Sequence, residues 1–130
     1  MTHIIRTAVR ATGAWKAVLL VLIGVVCYLT LTPKPPPGID LGWDKLNHVA
    51  GFAALGFASC LGYPESWRRR ASVLGAMVAL GGLIELLQLY VPGRSSEWGD
   101  LLADAIGVGV GALVAVLLLR LLLGSPARAG

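Results

Sequence analysis

Charge is what this chain has least of. Only 14% of its 130 residues are Asp, Glu, Lys or Arg, whereas a soluble domain carries roughly a quarter. A soluble helical domain would need a charged outer face on each helix. Here the charges fall between apolar runs, which excludes that class. Cysteine is nearly absent: Cys27 and Cys60 both lie inside apolar runs with no second ligand or oxidant beside them. They read as buried thiols, and neither a disulfide framework nor a zinc site is indicated. Aromatic residues are few, and Trp15, Trp43, Trp67 and Trp98 all fall at the edges of apolar runs, as an interfacial aromatic belt does. The metalloprotease spacing H-E-x-x-H is missing, and Ser95 and Ser96 have no G-x-S-x-G context. No internal repeat or low-complexity tract occurs beyond the proline-rich stretch 32–38, which reads as a stiff extended spacer.

What the chain does have is hydrocarbon. Hydrophobic residues make up 56% of it, and four runs have the length and purity of spanning helices, about 17 to 25 residues each. They cover 15–31, 46–63, 71–91 and 101–123; the last needs a tilt or a snorkelling Arg120. Between them lie Thr32-Pro33-Lys34-Pro35-Pro36-Pro37-Gly38, Pro64-Glu65-Ser66-Trp67-Arg68-Arg69-Arg70, and Pro92-Gly93-Arg94-Ser95-Ser96-Glu97-Trp98-Gly99. Proline lacks an amide hydrogen and clashes with the preceding turn, so each cluster ends a helix. The predicted fold class is all-α, an integral membrane bundle of four transmembrane helices. The first run follows Arg6 and Arg10, and no small-x-small cleavage site follows it, so it reads as a signal anchor. Residues 1–14 form a cytoplasmic N-terminal segment, 15–123 the transmembrane domain, and 124–130 a cytoplasmic tail.

Orientation follows from the basic residues. Arg6, Arg10, Lys16, Arg68, Arg69, Arg70, Arg120 and Arg128 fall on the side shared by both termini, and Lys34, Lys45 and Arg94 fall on the other. Both termini are therefore expected in the cytoplasm. Asp40, Asp44, Glu97 and Asp100 lie in or beside the outer loops, with Glu65 alone inside. The net charge of +4 is thus a topology signal, and nucleic acid is not an expected partner.

Small residues mark where helices approach. Ala50, Ala54, Ala58 and Gly62 recur every fourth residue, Gly107 and Gly111 are separated by three with Gly109 between, and Gly75 and Ala79 form a shorter pair. Lipid provides little hydrophobic drive for helices to associate, so close backbone contact matters. These stripes predict a compact bundle.

The chemistry collects at the outer ends. Glu85 sits inside Gly81-Gly82-Leu83-Ile84-Glu85-Leu86-Leu87-Gln88-Leu89-Tyr90-Val91-Pro92, where a carboxylate is costly unless neutral, paired or in a polar pocket. Along the third span it lies roughly 10 Å below Pro92, with Gln88 one turn nearer the surface. The second span opens Asp44-Lys45-Leu46-Asn47-His48, so His48 lies about 6 Å deeper than Asp44 on the same face. In the fourth, Asp104 follows Asp100 by the same interval. Three helices thus place ionisable groups at similar depth, and if the bundle brings those faces together they form one outward-facing pocket. Plainer roles compete. Asp44 and Asp100 suit N-caps, Lys45 can snorkel to headgroups, His48 can simply satisfy a carboxylate, and Arg94 can be an ordinary outer-loop charge rather than a ligand for an anion or for Glu85.

The fragments D-K-L-N-H at Asp44 to His48, E-L-L-Q at Glu85 to Gln88, V-P-G-R at Val91 to Arg94, and D-L-L-A-D-A-I-G from Asp100 to Gly107 resemble the VanZ-like membrane family. The resemblance runs from about Asp44 to the end of the fourth span. It implies a multi-pass protein of the bacterial cytoplasmic membrane, in a family named for a protein associated with low-level teicoplanin resistance. Asp104 stands where the family commonly has asparagine, and Glu97 where an aspartate-containing loop is common.

Three functions suit such a pocket. An enzyme acting on a lipid-linked phosphate would hold the headgroup with Lys45 and Arg94 and move a proton with Glu85 or His48. Asp100 and Asp104 would support a divalent ion in that case. The catalytic candidates are Glu85, His48, Asp100 and Asp104, and the weak metal candidates are the same four residues; a divalent metal is the one cofactor considered. A small transporter would use Glu85 and His48 for proton or ligand uptake, although no inverted repeat is present. The third function, ranked first, is an envelope accessory protein. It would bind a membrane lipid, a lipid-linked precursor or another membrane protein through Asp44, Lys45, His48, Glu85, Gln88, Arg94, Asp100 and Asp104. Homo-oligomerisation stays open.

Overall fold

The computed structural model describes residues 1–33, 38, 42 and 44–124. Lys34, Asp40, Trp43 and Arg128, together with residues 35–37 of the proline-rich spacer and the rest of 125–130, lie outside the described residues. The chain forms five helices, α1 (Thr2–Arg10), α2 (Thr12–Leu31), α3 (Asp44–Gly62), α4 (Trp67–Gln88) and α5 (Trp98–Leu123). Among the described residues there is no strand.

Each break has a local cause. Thr32 precedes Pro33 and is extended, with φ −84° and ψ 130°, because the proline ring excludes the helical conformation of the residue before it. Pro64 follows the end of α3, and α4 starts beyond Ser66, whose hydroxyl accepts from the Arg69 amide as an N-cap does. The third span stops sooner than its hydropathy implies. It ends at Gln88 rather than Val91, because the amides of Tyr90 and Val91 turn back to Leu87 and Gln88 ahead of Pro92. Gly93 then takes φ +78°, a left-handed conformation that glycine adopts without steric cost. The segment before α2, expected only as a cytoplasmic stretch, is the helix α1. It is joined to α2 by a bend at Ala11 and tied by the Trp15 indole, which donates to Ala8 O at 2.9 Å.

Three helices, α2, α4 and α5, are long and apolar enough to cross a membrane, and only 11%, 28% and 22% of their apolar windows is buried inside the protein. The remainder faces outward with large side chains such as Leu20, Val21, Leu86, Leu113 and Leu121 exposed. This inside-out distribution suits lipid as solvent. Helix α3 differs. It opens on polar residues, so its apolar stretch is shorter, and it packs against α2, α4 and α5 with nine of its residues buried.

The α3 to α5 contact is the closest. A Cβ at Gly111 would run into Ala53 O, one at Gly56 into Val108 O, and one at Gly107 would lie 2.5 Å from Val49 O. The Gly107 and Gly111 stripe is thus used as its spacing predicts, while Gly56 contributes from α3. The stripe on α3 is used only in part: Ala50 is exposed, whereas Ala58 and Gly62 are buried and Gly62 lies against Lys16 of α2. A Cβ at Gly75 or Gly109 would meet nothing within 4 Å beyond its own stretch of helix, and Ala79 is exposed; these three face outward.

Helix polarity gives the bundle two unlike ends. One carries Arg6, Arg10, Lys16, Arg68, Arg69, Arg70 and Arg120, with the Lys16 ammonium 4.7 Å from the Tyr63 ring centroid and Arg70 donating to Pro64 O. Trp15 packs edge-on against Phe57 there. The other end carries the carboxylates. Replacing Gly111 with Leu is expected to destabilise the protein by about 3 kcal/mol or more, since backbone must move to admit the side chain. Gly109→Ala should change stability by no more than about 1 kcal/mol. Thermal unfolding in detergent followed by circular dichroism measures both.

Candidate functional site

Ionisable residues inside the bundle meet at the end formed by the C-termini of α2 and α4 and the N-termini of α3 and α5. His48, Glu85, Gln88, Asp100 and Asp104 are all buried, from 6% exposed for His48 and Glu85 to 0% for Asp104. His48 is the hub. Its Nδ1 lies 2.7 Å from Asp104 Oδ1 and 3.9 Å from Glu85 Oε1, and its Nε2 lies 3.7 Å from Asp44 Oδ2. The i, i+4 spacing of Asp44 and His48 puts them on one face of α3, and the glycine contact between α3 and α5 brings Asp104 within hydrogen-bonding reach of the ring.

The glycines of α4 do further work. Gly81 precedes Glu85 by one turn on the same face, and a Cβ there would sit 2.8 Å from Asp104 Oδ2. Gly81 therefore leaves room for the Asp104 carboxylate against the α4 backbone. Ser96, weighed in the sequence only as a nucleophile, donates its hydroxyl to Glu85 Oε2 at 2.9 Å. Glu85 Oε1, Asp104 Oδ2 and Gln88 Oε1 are buried without a hydrogen-bond partner. Unpaired buried acceptors are uncommon and costly.

Lys45 reaches across from α3 to α5, its Nζ 2.8 Å from Glu97 Oε2 and 3.2 Å from Asp100 Oδ1. Gly99 makes room for it: a Cβ there would meet Lys45 Cε at 2.9 Å. Asp100 is therefore not the N-cap its position implies. Glu97 occupies that place, and Asp100 lies in the first turn facing Lys45, where an acid also complements the helix dipole. Asp44 begins α3, with its side chain 60% exposed.

Arg94 and Gln88 turn to α2 instead. Arg94 donates through Nε to Thr32 O at 3.0 Å and through Nη2 to Leu29 O at 2.6 Å, and Gln88 donates through Nε2 to Thr30 O at 2.9 Å. The last carbonyls of a helix lack intrahelical donors, so these two side chains close the end of α2. The sequence pairs Arg94 with an anion or with Glu85; in the structure it serves α2, and no ion pair joins it to Glu85 among the described residues.

The cluster is rich in acceptors and poor in free donors. Two groups have ligand atoms within 4.8 Å of one another: His48, Glu85 and Asp104, all buried, and Asp44, His48 and Asp100. Chemically these residues can hold a cation, orient a hydrogen-bond donor, or pass a proton through the imidazole.

Two outcomes follow. Arg94→Ala should cost roughly 1.5 to 3 kcal/mol per charge-assisted bond that is not replaced by water, with Arg94→Lys recovering only part because lysine lacks the planar fork; denaturant titration reads both. At the surface, the Lys45 ammonium holds the Glu97 carboxyl below its usual 4.5. A depressed folded value gives stability that is present above the unfolded value and lost as pH falls through the folded one. Glu97→Gln should therefore remove a pH dependence that the wild type shows below about pH 4.5, and an NMR titration of Glu97 Cδ should show the lowered midpoint.

Compared with known proteins, the chain matches one family, VanZ/LLP1, over residues 16–120. No curated protein and no solved structure matches it. The match begins upstream of the fragments that carry the sequence resemblance and takes in α2, the helix that Arg94 and Gln88 close. With its apolar outward-facing helices and a match over most of its length, this membrane protein belongs to the VanZ/LLP1 family.

Proposed function

We propose that this VanZ-type protein works in the bacterial cytoplasmic membrane as an envelope accessory protein, with α2 to α5 all spanning and both termini in the cytoplasm. Its buried cluster binds the polar headgroup of an envelope lipid or lipid-linked precursor from the outer side, and this binding alters access of glycopeptides such as teicoplanin. The orientation is supported by the basic residues gathered at the end opposite the cluster, since cytoplasmic loops are the ones enriched in Lys and Arg. The single observation that carries the binding reading is the set of buried, unpartnered oxygens on Glu85, Asp104 and Gln88. Acceptors kept dry and unpaired in an apolar bundle are stabilised when a ligand supplies the donors.

Charge narrows the ligand. Lys45 is already held by two carboxylates and Arg94 is spent on α2, so the anion-holding pair that the sequence offers is engaged elsewhere. The headgroup that suits the cluster carries positive charge, as an amine or as a phosphate with a bound divalent ion. A second reading, a hydrolase or transferase acting on a lipid-linked phosphate, is favoured by the 2.9 Å contact from the Ser96 hydroxyl to Glu85. At that distance a carboxylate can take a hydroxyl proton.

Reporter fusions at Gly38 and Gly93 should score outside and one at Glu65 inside; a cytoplasmic result at Gly93 overturns the orientation. Native mass spectrometry of protein extracted from its own membrane should show a retained lipid that Glu85→Ala releases. Equal retention by that variant, or no lipid on the wild type, counts against the binding reading. Turnover of the retained lipid that is lost in Ser96→Ala would move the conclusion to the enzyme.

A further inference from the structure

We propose that His48 Nδ1, Glu85 Oε1 and a carboxylate oxygen of Asp104 form a divalent-cation site, with Asp44 orienting the histidine from its other nitrogen. The inference deepens the headgroup reading and rests on it only for what fills the remaining coordination positions.

Four observations converge on this trio. The two ring nitrogens of His48 face different partners: Nδ1 looks at Asp104 and Glu85, and Nε2 has the half-exposed Asp44 carboxylate at 3.7 Å, a small side-chain movement short of a hydrogen bond. A metal-bound histidine usually donates its second N–H to a carboxylate, which fixes tautomer and ring orientation. Separations fit as well. Around a tetrahedral ion with bonds of roughly 2.1 Å, ligand atoms stand about 3.4 Å apart. The Nδ1 to Glu85 distance of 3.9 Å and the Nδ1 to Asp104 distance of 2.7 Å bracket that value, so sub-ångström shifts admit the ion. Glu85 is already oriented, because Ser96 holds Oε2 at 2.9 Å and leaves Oε1 buried without a partner. Finally, two carboxylates with one neutral imidazole balance a divalent charge, which removes the cost of burying those acids in an apolar bundle.

The other group, Asp44, His48 and Asp100, fits less well. Asp100 is engaged by Lys45 at 3.2 Å and Asp44 is largely exposed. One nitrogen with two oxygens suits Zn or Mn better than Ca or Mg. Three protein ligands leave at least one position open, as in sites that bind an exchangeable group. An anionic headgroup oxygen could enter there, which would let an acid-rich cluster take a phosphate-bearing lipid.

The full-length protein, purified in detergent without chelators, should contain about one Zn or Mn per chain by elemental mass spectrometry. After chelation it should rebind Zn, or Co as a visible probe with absorption typical of mixed nitrogen and oxygen ligands. Glu85→Gln and Asp104→Asn should each abolish stoichiometric binding, and Asp44→Asn should weaken it about 10- to 100-fold while leaving one site. Because a variant can fail to fold, the deciding measurement is made on the wild type. Folded wild-type protein that contains no metal and takes up neither Zn, Mn nor Co overturns the proposal. Binding that survives in both Glu85→Gln and Asp104→Asn overturns it too. Retention of a lipid by metal-free wild type would leave the headgroup reading standing while removing the ion, so the two can fail separately.

Discussion

The approach of α3 to α5 through glycine is the constraint on which the rest of this structure depends. At Gly56, Gly107 and Gly111 the two helices meet backbone to backbone, leaving no room for a Cβ. In lipid, such contact supplies the dispersion energy that water would otherwise provide through the hydrophobic effect. It also fixes the polar cluster. Gly107 lies three residues after Asp104 on α5, and Val49, the residue it meets, follows His48 on α3. The contact that joins the helices thus places the imidazole against the carboxylate at 2.7 Å. Packing and polar chemistry are two consequences of one interface.

A second constraint is the shortage of cations at the acidic end. Lys45 and Arg94 are the only described Lys or Arg residues there, and both are committed. Lys45 neutralises Asp100 at the edge of the cluster, where its partial exposure keeps its desolvation modest. Arg94 closes the carbonyls of α2, and Gln88 adds a further bond to that helix end. What remains inside is His48 with Glu85 and Asp104, a group with more negative than positive capacity. The same economy explains Gly81, Gly99 and Gly93. The first two make room for Asp104 and Lys45, and the third turns the chain so that Arg94 reaches α2.

Much of this was legible in the sequence. The helix bounds followed from proline clusters and hydropathy to within a few residues, because proline acts locally and needs no tertiary context. That His48, Glu85 and Asp104 lie at similar depth followed from their positions along three apolar runs; that their faces meet came from the packing of the helices. Three things were not fully legible. The third run ends at Gln88 because backbone turns compete with an apolar sequence that would also allow helix. The partner of Arg94 could not be read, since a guanidinium beside a carboxylate-rich stretch points equally well to acids and to helix-end carbonyls. Which glycines pack was legible only in part: the spacing of Gly107 and Gly111 marked that pair, but Gly56 lay outside the stripe read on α3, and Gly75, read as a packing residue, faces outward. Ser96 left one faint signal, a hydroxyl in the short loop that returns the chain past Glu85.

The sequence by itself determined the solvent, the number of apolar runs, the charge asymmetry between the two ends and the presence of costly acids within apolar stretches. Each of these is a property of residue type and spacing along one chain. Only the tertiary structure decided which acid lies against His48, which cations are already spent, and which oxygens stay unpaired. Those outcomes depend on distances of a few ångströms between different helices, set by how closely glycine lets two backbones approach.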